Sequence, residues 1–190
     1  MAETPSTMLP LGTKAPHFEL PDPDGEKHSL NDFDSDVLVV MFICNHCPFV
    51  IHYKELFAKL ARDYRDKSVD IVAINSNDIE KYPADSPQKM KELKEKENWD
   101  FPYLLDEDQS VAKDYKAACT PDVYVFDRNK ELFYRGQVDS TRPGSQDTPN
   151  GEDLKNAIDS CLNRESAPSE QIPSTGCNIK WKKGNEPEYF

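Results

Sequence analysis

An unbroken apolar run that leads directly into a pair of cysteines constrains the fold of this chain more than any other feature. Residues 37–43 read Val-Leu-Val-Val-Met-Phe-Ile, which is typical of a strand buried on both faces. The segment 44–48, Cys-Asn-His-Cys-Pro, follows at once, and apolar residues then recur with helical spacing up to Tyr64. A second apolar run, at 69–74, predicts another strand. Because a strand, a helix and a strand in succession form a βαβ unit, we expect the two strands to be parallel.

The remaining elements are predicted from turn residues, helix caps and hydrophobic periodicity. They are a hairpin of residues 18–20 and 27–30 that turns at Asp24-Gly25, a helix from Pro87 to about residue 97 capped by Ser86, a short helix at 111–115, a hairpin of 122–127 and 131–135, and a helix at 153–162 capped by Asn150. This order predicts an α/β fold with a central mixed β-sheet, half parallel and half antiparallel, flanked by helices and preceded by an N-terminal β-hairpin.

The domain organisation follows from length and composition. A chain of 190 residues can form one domain with a hydrophobic core, and we expect that domain to cover residues 1–164. Residues 165–190 are rich in Ser, Pro and Gly and are interpreted as a long C-terminal tail. Within it, Gly176, Ile179 and Trp181 indicate that the tail docks on the domain.

The formal net charge of -12 bears on partners and location. A surface this acidic repels nucleic acids and anionic membranes, so we expect neither as a partner. No stretch reaches the roughly 20 apolar residues of a membrane span, and the polar segment 1–14 lacks the basic start and apolar block of a secretory signal. Five cysteines, two of them in Cys-x-x-Cys, are not the pattern of a disulfide scaffold, and the expected location is cytoplasmic.

Cys44 and Cys47 form the candidate chemical centre. A helix N-terminus presents free N–H groups and the positive end of the helix dipole, so we expect the pKa of Cys44 to be lowered there. Cys47 lies one turn further on, within reach of a disulfide to Cys44, and His46 between them is expected to stabilise the thiolate further. From the residues alone, half of a zinc site or a pair of inert core cysteines are the alternative interpretations.

The sequence resembles the thioredoxin-like superfamily, close to its redoxin, AhpC/TSA and TlpA-like branches, over about residues 10–163. The resemblance is carried by 14–20 (Lys-Ala-Pro-His-Phe-Glu-Leu) with Asp24-Gly25, by 44–48 (Cys-Asn-His-Cys-Pro), and by 119–127 (Cys-Thr-Pro-Asp-Val-Tyr-Val-Phe-Asp). It implies a thioredoxin-like fold and a thiol–disulfide oxidoreductase that needs no cofactor. It also implies that Cys44 is the nucleophile, that Cys47 resolves the mixed disulfide, and that the Thr120-Pro121 bond is cis and abuts the active site. The implied partners are a protein or small-molecule disulfide and an external thiol reductant.

The chain departs from two patterns of that superfamily. Thioredoxins carry Trp before the first cysteine and Gly-Pro between the pair, where this chain has Ile43 and Asn45-His46. With His46 beside the thiolate, we expect a reduction potential less negative than the about -270 mV of thioredoxin. Peroxiredoxins carry Thr three residues before a single peroxidatic cysteine, and here Cys44 holds that position relative to Cys47.

Two further functions remain as alternatives. One is a peroxiredoxin-like thiol peroxidase with an antioxidant role, in which Cys44 or Cys47 passes through a sulfenic acid. The other is a non-enzymatic copper- or zinc-binding protein that uses Cys44, Cys47, His46 and Cys119, because soft thiolates favour Cu(I) and Zn.

The other cysteines have two interpretations each, with one exception. Cys119 is either an accessory thiol beside the pair or a small residue that fills a loop. Cys177 is either a resolving thiol carried by the tail or a surface thiol on a docked strand. Cys161 shares helical spacing with Leu154 and Ile158, which predicts a buried core position.

Overall fold

The computed structural model describes residues 3–190, so Met1 and Ala2, where the predicted domain and the N-terminal segment begin, lie outside the described part. In chain order the elements are β1 (Glu3–Pro5), β2 (Glu19–Pro21), β3 (Lys27–Ser29), β4 (Val37–Phe42), α1 (Pro48–Tyr64), β5 (Val69–Asn75), α2 (Pro87–Glu97), β6 (Tyr103–Leu105), α3 (Ser110–Asp114), β7 (Cys119–Thr120), β8 (Asp122–Phe126), β9 (Leu132–Gly136), α4 (Glu152–Leu162) and β10 (Thr175–Asn178).

A five-stranded mixed sheet in the order β6-β5-β4-β8-β9 forms the centre of the molecule. Strand β4 pairs in parallel with β5, which pairs in parallel with β6. On its other side β4 pairs antiparallel with β8, which pairs antiparallel with β9. The predicted α/β fold with a half-parallel, half-antiparallel central sheet is confirmed, and β2 and β3 form the predicted N-terminal hairpin.

Both faces of the central sheet are covered, which explains the apolar run in β4. Its residues 37, 39 and 41 lie in one hydrophobic cluster with the buried sides of α1, α2 and α4. Its residues 38, 40 and 42 lie in a second cluster with α3, the N-terminal hairpin and two residues of the tail, Ile179 and Trp181. All six residues of β4 are therefore buried. A strand that is covered on both faces carries apolar side chains on both, so its sequence does not alternate between polar and apolar residues.

Two details of the predicted elements are wrong. The short strands β1, β6 and β7 are missing from the prediction, because two or three residues give too little periodicity to separate a strand from a loop. The N-cap of α4 is Gly151 rather than Asn150, and Gly151 has the left-handed φ of +68° that glycine adopts without strain. The side chain of Asn150 instead accepts a hydrogen bond from the backbone N–H of Glu152, 2.9 Å away.

The last part of the chain returns to the domain through a small second sheet of order β1-β10-β7. Strand β10 pairs antiparallel with β1 on one side and with β7 on the other. Because β7 ends at Thr120, this pairing brings the tail next to the Thr120-Pro121 peptide bond, which is cis. The tail segment 175–178 thus lies next to the loop that contacts the cysteine pair described below.

Within residues 3–190, no helix is both long enough and apolar enough to cross a membrane.

Candidate active site

The cysteine pair is positioned by the junction between β4 and α1. Cys44 lies two residues beyond the end of β4, in the short loop that precedes the helix, whereas Cys47 is the N-cap residue of α1. Pro48 occupies the first helical position, where the missing N–H has no helical partner to lose. The carbonyl of Cys47 accepts the helical hydrogen bond from Ile51, at 2.9 Å. Cys47, rather than Cys44, is therefore the residue at the start of the helix.

Both thiols meet the loop that contains the cis peptide bond. The sulfur of Cys47 lies 3.0 Å from the carbonyl oxygen of Thr120, to which its protonated form donates, and the Sγ of Cys44 lies 3.6 Å from the Thr120 hydroxyl. The exposed fractions of Cys44 and Cys47 are 1% and 0%. The structure thus brings together four of the residues singled out in the sequence, Cys44, Cys47, Thr120 and Pro121, in one enclosed site.

The two thiols share one negative charge, and Cys47 carries it. The hydrogen bond from Cys44 is the largest cause that lowers the pKa of Cys47, to about 5, against the opposing effect of burial. Contacts with Thr120 and Cys177 and the N–H of Val50 lower it further. The pKa of Cys44 is raised well above its ordinary value, first by its hydrogen bond to Cys47, then by burial and by the charge of Asp85. The prediction that Cys44 has the lowered pKa is therefore wrong, because the helix cap and the donated hydrogen bonds fall on Cys47.

His46 forms a close ion pair with a buried carboxylate. Its Nδ1 lies 2.7 Å from Oδ2 of Asp85, and this partner raises the pKa of the imidazole above its ordinary value. The imidazole ring also stacks on Tyr82, with 5.6 Å between ring centroids and 4° between planes. This side chain is 24% exposed at the rim of the cysteine site, and its pairing with Asp85 favours its positively charged form.

Asp85 is the functional residue that the sequence interpretation missed. It is completely buried, and its carboxylate accepts hydrogen bonds from the backbone of Asn45 and from the side chain of Asn77, both at 2.8 Å. The segment around it was interpreted only as the start of α2, because Ser86 and Pro87 are strong helix-start signals. Nothing in local spacing links Asp85 to His46, since the two meet only when the β5–α2 connection folds over the start of α1.

The side chains near Cys44 include a set that can ligate a metal ion. Ligand atoms of Cys44, His46 and Asp85 all lie within 4.8 Å of one another. Among the described residues this group differs from the metal set predicted from the sequence, because it contains Asp85 and leaves out Cys47 and Cys119. One thiolate, one imidazole and one carboxylate form a donor set compatible with Zn²⁺ rather than with Cu(I), which prefers softer ligands.

The remaining cysteines occupy three different environments. Cys119 is buried, its thiol points to the carbonyl of Pro121 at 3.6 Å, and burial raises its pKa well above the ordinary value. Cys161 lies on the buried side of α4, as its spacing predicts. Cys177, in β10, is 3% exposed and lies opposite Thr120 in the strand register, so the interpretation as a surface thiol is wrong. Burial is the main cause that raises the pKa of Cys177, to about 12.

Comparisons with known proteins agree with this architecture. A family model described as the AhpC/TSA family matches residues 11–135. Thiol-disulfide oxidoreductase ResA of Geobacillus kaustophilus is 26% identical over 129 residues, which cover 68% of this chain and 70% of that protein. Peroxiredoxin Bcp of Escherichia coli strain K12 is 32% identical over 111 residues, which cover 56% of this chain and 64% of that protein. The match spans 64% to 65% of the length of the peroxiredoxin and thioredoxin-like relatives.

Solved structures give the same fold. The crystal structure of an uncharacterized conserved protein from Geobacillus kaustophilus is 50% identical, with a TM-score of 0.93 over 96% of this chain and 97% of that one. Thioredoxin-like structures with 15% to 22% identity superpose with TM-scores of 0.58 to 0.64. At that level of identity the likeness concerns the fold alone, and it confirms the predicted thioredoxin-like fold.

Proposed function

The chain belongs to the AhpC/TSA family of oxidoreductases, and on that premise we propose that it is a thiol–disulfide oxidoreductase whose working pair is Cys44 and Cys47. The observation that carries the proposal is that both sulfurs meet Thr120 at the start of α1, Cys44 at 3.6 Å from its hydroxyl and Cys47 at 3.0 Å from its carbonyl oxygen. Cys44 also lowers the pKa of Cys47, to about 5, through a hydrogen bond. A pair that already shares one proton and one charge is suited to dithiol–disulfide exchange.

Cys44 is the proposed attacking thiol. Cys47 is enclosed by Cys44, Thr120 and Cys177, so a substrate disulfide meets Cys44 first. As Cys44 attacks, its proton passes to Cys47, and the imidazolium of His46 stabilises the developing thiolate. A mixed disulfide forms between Cys44 and one substrate sulfur, and the other substrate sulfur leaves as a thiolate.

Cys47 then completes the exchange. The departing substrate thiolate takes the proton back from Cys47, whose pKa is still lowered by its contacts with Thr120 and the N–H of Val50. The Cys47 thiolate attacks the Cys44 sulfur, the second substrate thiolate leaves and is protonated from solvent, and the Cys44–Cys47 disulfide remains. The substrate has gained two electrons, and an external thiol reductant must return them to the pair. The partners proposed are therefore a disulfide substrate and a thiol reductant.

A thiol peroxidase is the second candidate. Relatives that carry the name peroxiredoxin favour it, as does the hydroxyl of Thr120 at 3.6 Å from the Cys44 sulfur, where it can donate to a bound peroxide. Thiol oxidation whose rate rises in proportion to hydrogen peroxide, with a trapped sulfenic acid at Cys44 or Cys47, supports the peroxidase. Oxidation by disulfides alone supports the exchange reaction.

Metal binding by Cys44, His46 and Asp85 is the third candidate, and their ligand distances favour it. Zinc that remains stoichiometric after gel filtration of the wild type, and is lost in Asp85→Asn, supports this function. An equal loss in Cys161→Ser, which lies elsewhere, indicates adventitious binding instead.

The decisive test of the proposed function is a redox titration in glutathione buffers. We expect a reversible two-electron transition in metal-free protein that is abolished in Cys44→Ser and in Cys47→Ser and retained in Cys161→Ser. Thiols that stay reduced throughout this range of potentials contradict the proposal.

A further inference from the structure

We propose that Cys177 is a third redox thiol of this site. Its sulfur displaces Cys44 from the Cys44–Cys47 disulfide and forms a Cys47–Cys177 disulfide. The inference rests on the proposed dithiol exchange, because the Cys44–Cys47 disulfide is its starting point. It assigns a chemical role to the C-terminal strand β10.

The pairing of β10 with β7 places Cys177 beside Cys47. In the antiparallel register Cys177 lies opposite Thr120, and the carbonyl oxygen of Thr120 lies 3.0 Å from the sulfur of Cys47. A hydrogen bond with Cys177 is also among the causes that lower the pKa of Cys47. Cys47 therefore has two thiol neighbours, Cys44 on its own loop and Cys177 on the tail.

Gly176 shows that this close approach is built into the strand. A Cβ at position 176 would lie 2.1 Å from the carbonyl oxygen of Thr120 and 2.7 Å from its carbonyl carbon. Real Cβ atoms do not come so close to a backbone, so only glycine lets β10 lie at this distance. The residue next to it, Cys177, is thereby held against the loop that contacts both active-site thiols.

The tail is also anchored on the far side of Cys177. The N–H of Ile179 donates to the carbonyl of Ala118 at 3.1 Å. The N–H of Lys180 donates to the side chain of Asn77 at 2.8 Å, and the same side chain donates to Asp85. Cys177 is therefore fixed before and after its position, and little conformational entropy is lost when its sulfur bonds to Cys47.

The exchange step balances without an added oxidant. The Cys177 thiol gives its proton to solvent and its sulfur attacks Cys47 Sγ in the Cys44–Cys47 disulfide. The Cys47–Cys177 bond forms, the Cys44–Cys47 bond breaks, and Cys44 leaves as a thiolate beside the imidazole of His46. No electrons are gained or lost, because one disulfide replaces another.

The new disulfide has two consequences for the protein. It ties the tail covalently to the start of α1, and it leaves Cys44 as a single thiol without its resolving partner. In this state Cys44 can form a mixed disulfide that only an external thiol resolves, so the site changes from dithiol to monothiol exchange.

The test is disulfide mapping of the full chain. After oxidation with glutathione disulfide, acid quenching and N-ethylmaleimide blocking, trypsin releases Cys44 and Cys47 together in peptide 28–54 and Cys177 in peptide 165–180. A Cys47–Cys177 bond joins these two peptides, whereas a Cys44–Cys47 bond stays within the first. We expect both species in the wild type, with the joined peptides appearing later.

Three variants complete the design. In Cys44→Ser we expect the joined peptides alone, in Cys177→Ser the internal disulfide alone, and in Cys161→Ser the wild-type pattern. Maleimide labelling of Cys44 in the oxidised wild type is expected to be lost in Cys177→Ser. The wild-type map does not depend on whether any variant folds.

The outcomes separate this inference from the proposed function. If the joined peptides are missing from the wild type and from Cys44→Ser, while Cys177→Ser keeps the internal disulfide, the role of Cys177 is overturned and the dithiol exchange stands. In the other outcome, Cys177→Ser forms no internal disulfide, although the joined peptides form in Cys44→Ser. This result overturns the dithiol exchange. It also overturns the transfer of the disulfide from Cys44 to Cys177, which starts from the Cys44–Cys47 bond.

Discussion

The imidazole of His46 pairs with the buried carboxylate of Asp85 at 2.7 Å, and this pair lies within 4.8 Å of the Cys44 sulfur. Asp85 raises the pKa of both neighbours: it is the main cause for His46, and for Cys44 it adds to the larger effects of the hydrogen bond to Cys47 and of burial. The carboxylate therefore favours a positive imidazole and disfavours a second negative charge, which keeps the cysteine pair at a single thiolate.

Asp85→Asn is expected to lower the pKa of His46 and the pKa of Cys44 together. The amide removes the charge but keeps the shape, and the measurement is a proton NMR titration of the His46 ring with ultraviolet detection of thiolate. Asp24→Asn, at an exposed carboxylate that pairs with Lys91, is the matched control and should leave both titrations unchanged. An unshifted His46 titration in Asp85→Asn contradicts the assigned pairing.

The stability that His46 contributes should fall as the pH rises. The pKa of His46 is raised in the folded protein above an unfolded value of about 6.5. The stabilisation by His46 is therefore complete below about pH 6.5 and is lost as the pH rises through the folded pKa. The free energy of unfolding in urea, compared between wild type and His46→Gln, should differ most below about pH 6.5. A difference that grows as the solution becomes alkaline is the opposite of this expectation.

Cys47 should be a thiolate at neutral pH. Because its pKa is lowered to about 5, the ultraviolet absorbance of one thiolate should be present at pH 7 and disappear as the pH falls through about 5. The signal should be lost in Cys47→Ser. In Cys44→Ser it should persist but titrate at higher pH, since the donor with the largest effect on Cys47 is gone. A thiolate that survives in Cys47→Ser and vanishes in Cys44→Ser would place the charge on the other sulfur.

The sequence predicts the central fold well because its signals are local. The apolar run of β4, the amphipathic α1 and the capped α2 each carry their own periodicity or cap, and the structure has all three. Interactions between distant segments are not encoded in this way. Asp85 meets His46 across 39 residues, and Cys177 meets Cys47 across 130, so neither contact leaves a spacing signal.

The wrong prediction for the pKa of Cys44 has the same origin. The sequence predicts Cys44 at the helix start with Cys47 one turn further on, whereas in the structure α1 begins at Pro48 and Cys47 is its cap. That position depends on how β4 ends, with Ile43 still donating to Ile74 of the neighbouring strand at 3.0 Å. Only Asn45 and His46 lie between the two cysteines, so a small shift of the helix start decides which of them is the cap.

Gly176→Ala tests the packing of the tail against the active site. The added methyl group would lie 2.1 Å from the Thr120 oxygen, so β10 must move, and we expect a loss of about 1–3 kcal/mol in unfolding free energy. Gly184→Ala is the control, because its methyl group meets nothing within 4 Å, although its φ of +81° costs about 1 kcal/mol. Equal losses at the two positions would show that the approach of β10 to Thr120 is not tight. The thiolate titration of Cys47 should shift only in Gly176→Ala.

The buried ion pair of Arg135 and Asp122 should support the loop that holds Thr120 and Pro121. Both side chains are completely buried, with Nη2 of Arg135 at 2.9 Å from Oδ2 of Asp122. The same carboxylate accepts the N–H of Ala118 at 3.1 Å, and Arg135 donates to the carbonyl of Lys116 at 2.8 Å. The pair thus ties the backbone on the N-terminal side of Thr120 to strands β8 and β9.

Removal of one partner should therefore cost more than removal of both. Arg135→Met leaves the Asp122 charge buried without a counter-ion, and we expect the unfolding free energy to fall by about 3–5 kcal/mol. Asp122→Asn combined with Arg135→Met removes the isolated charge and keeps an acceptor for Ala118, so part of that stability should return. Urea denaturation of the two single variants and the double variant gives the coupling free energy. If the single losses simply add, the two side chains act independently and the loop is held by other contacts.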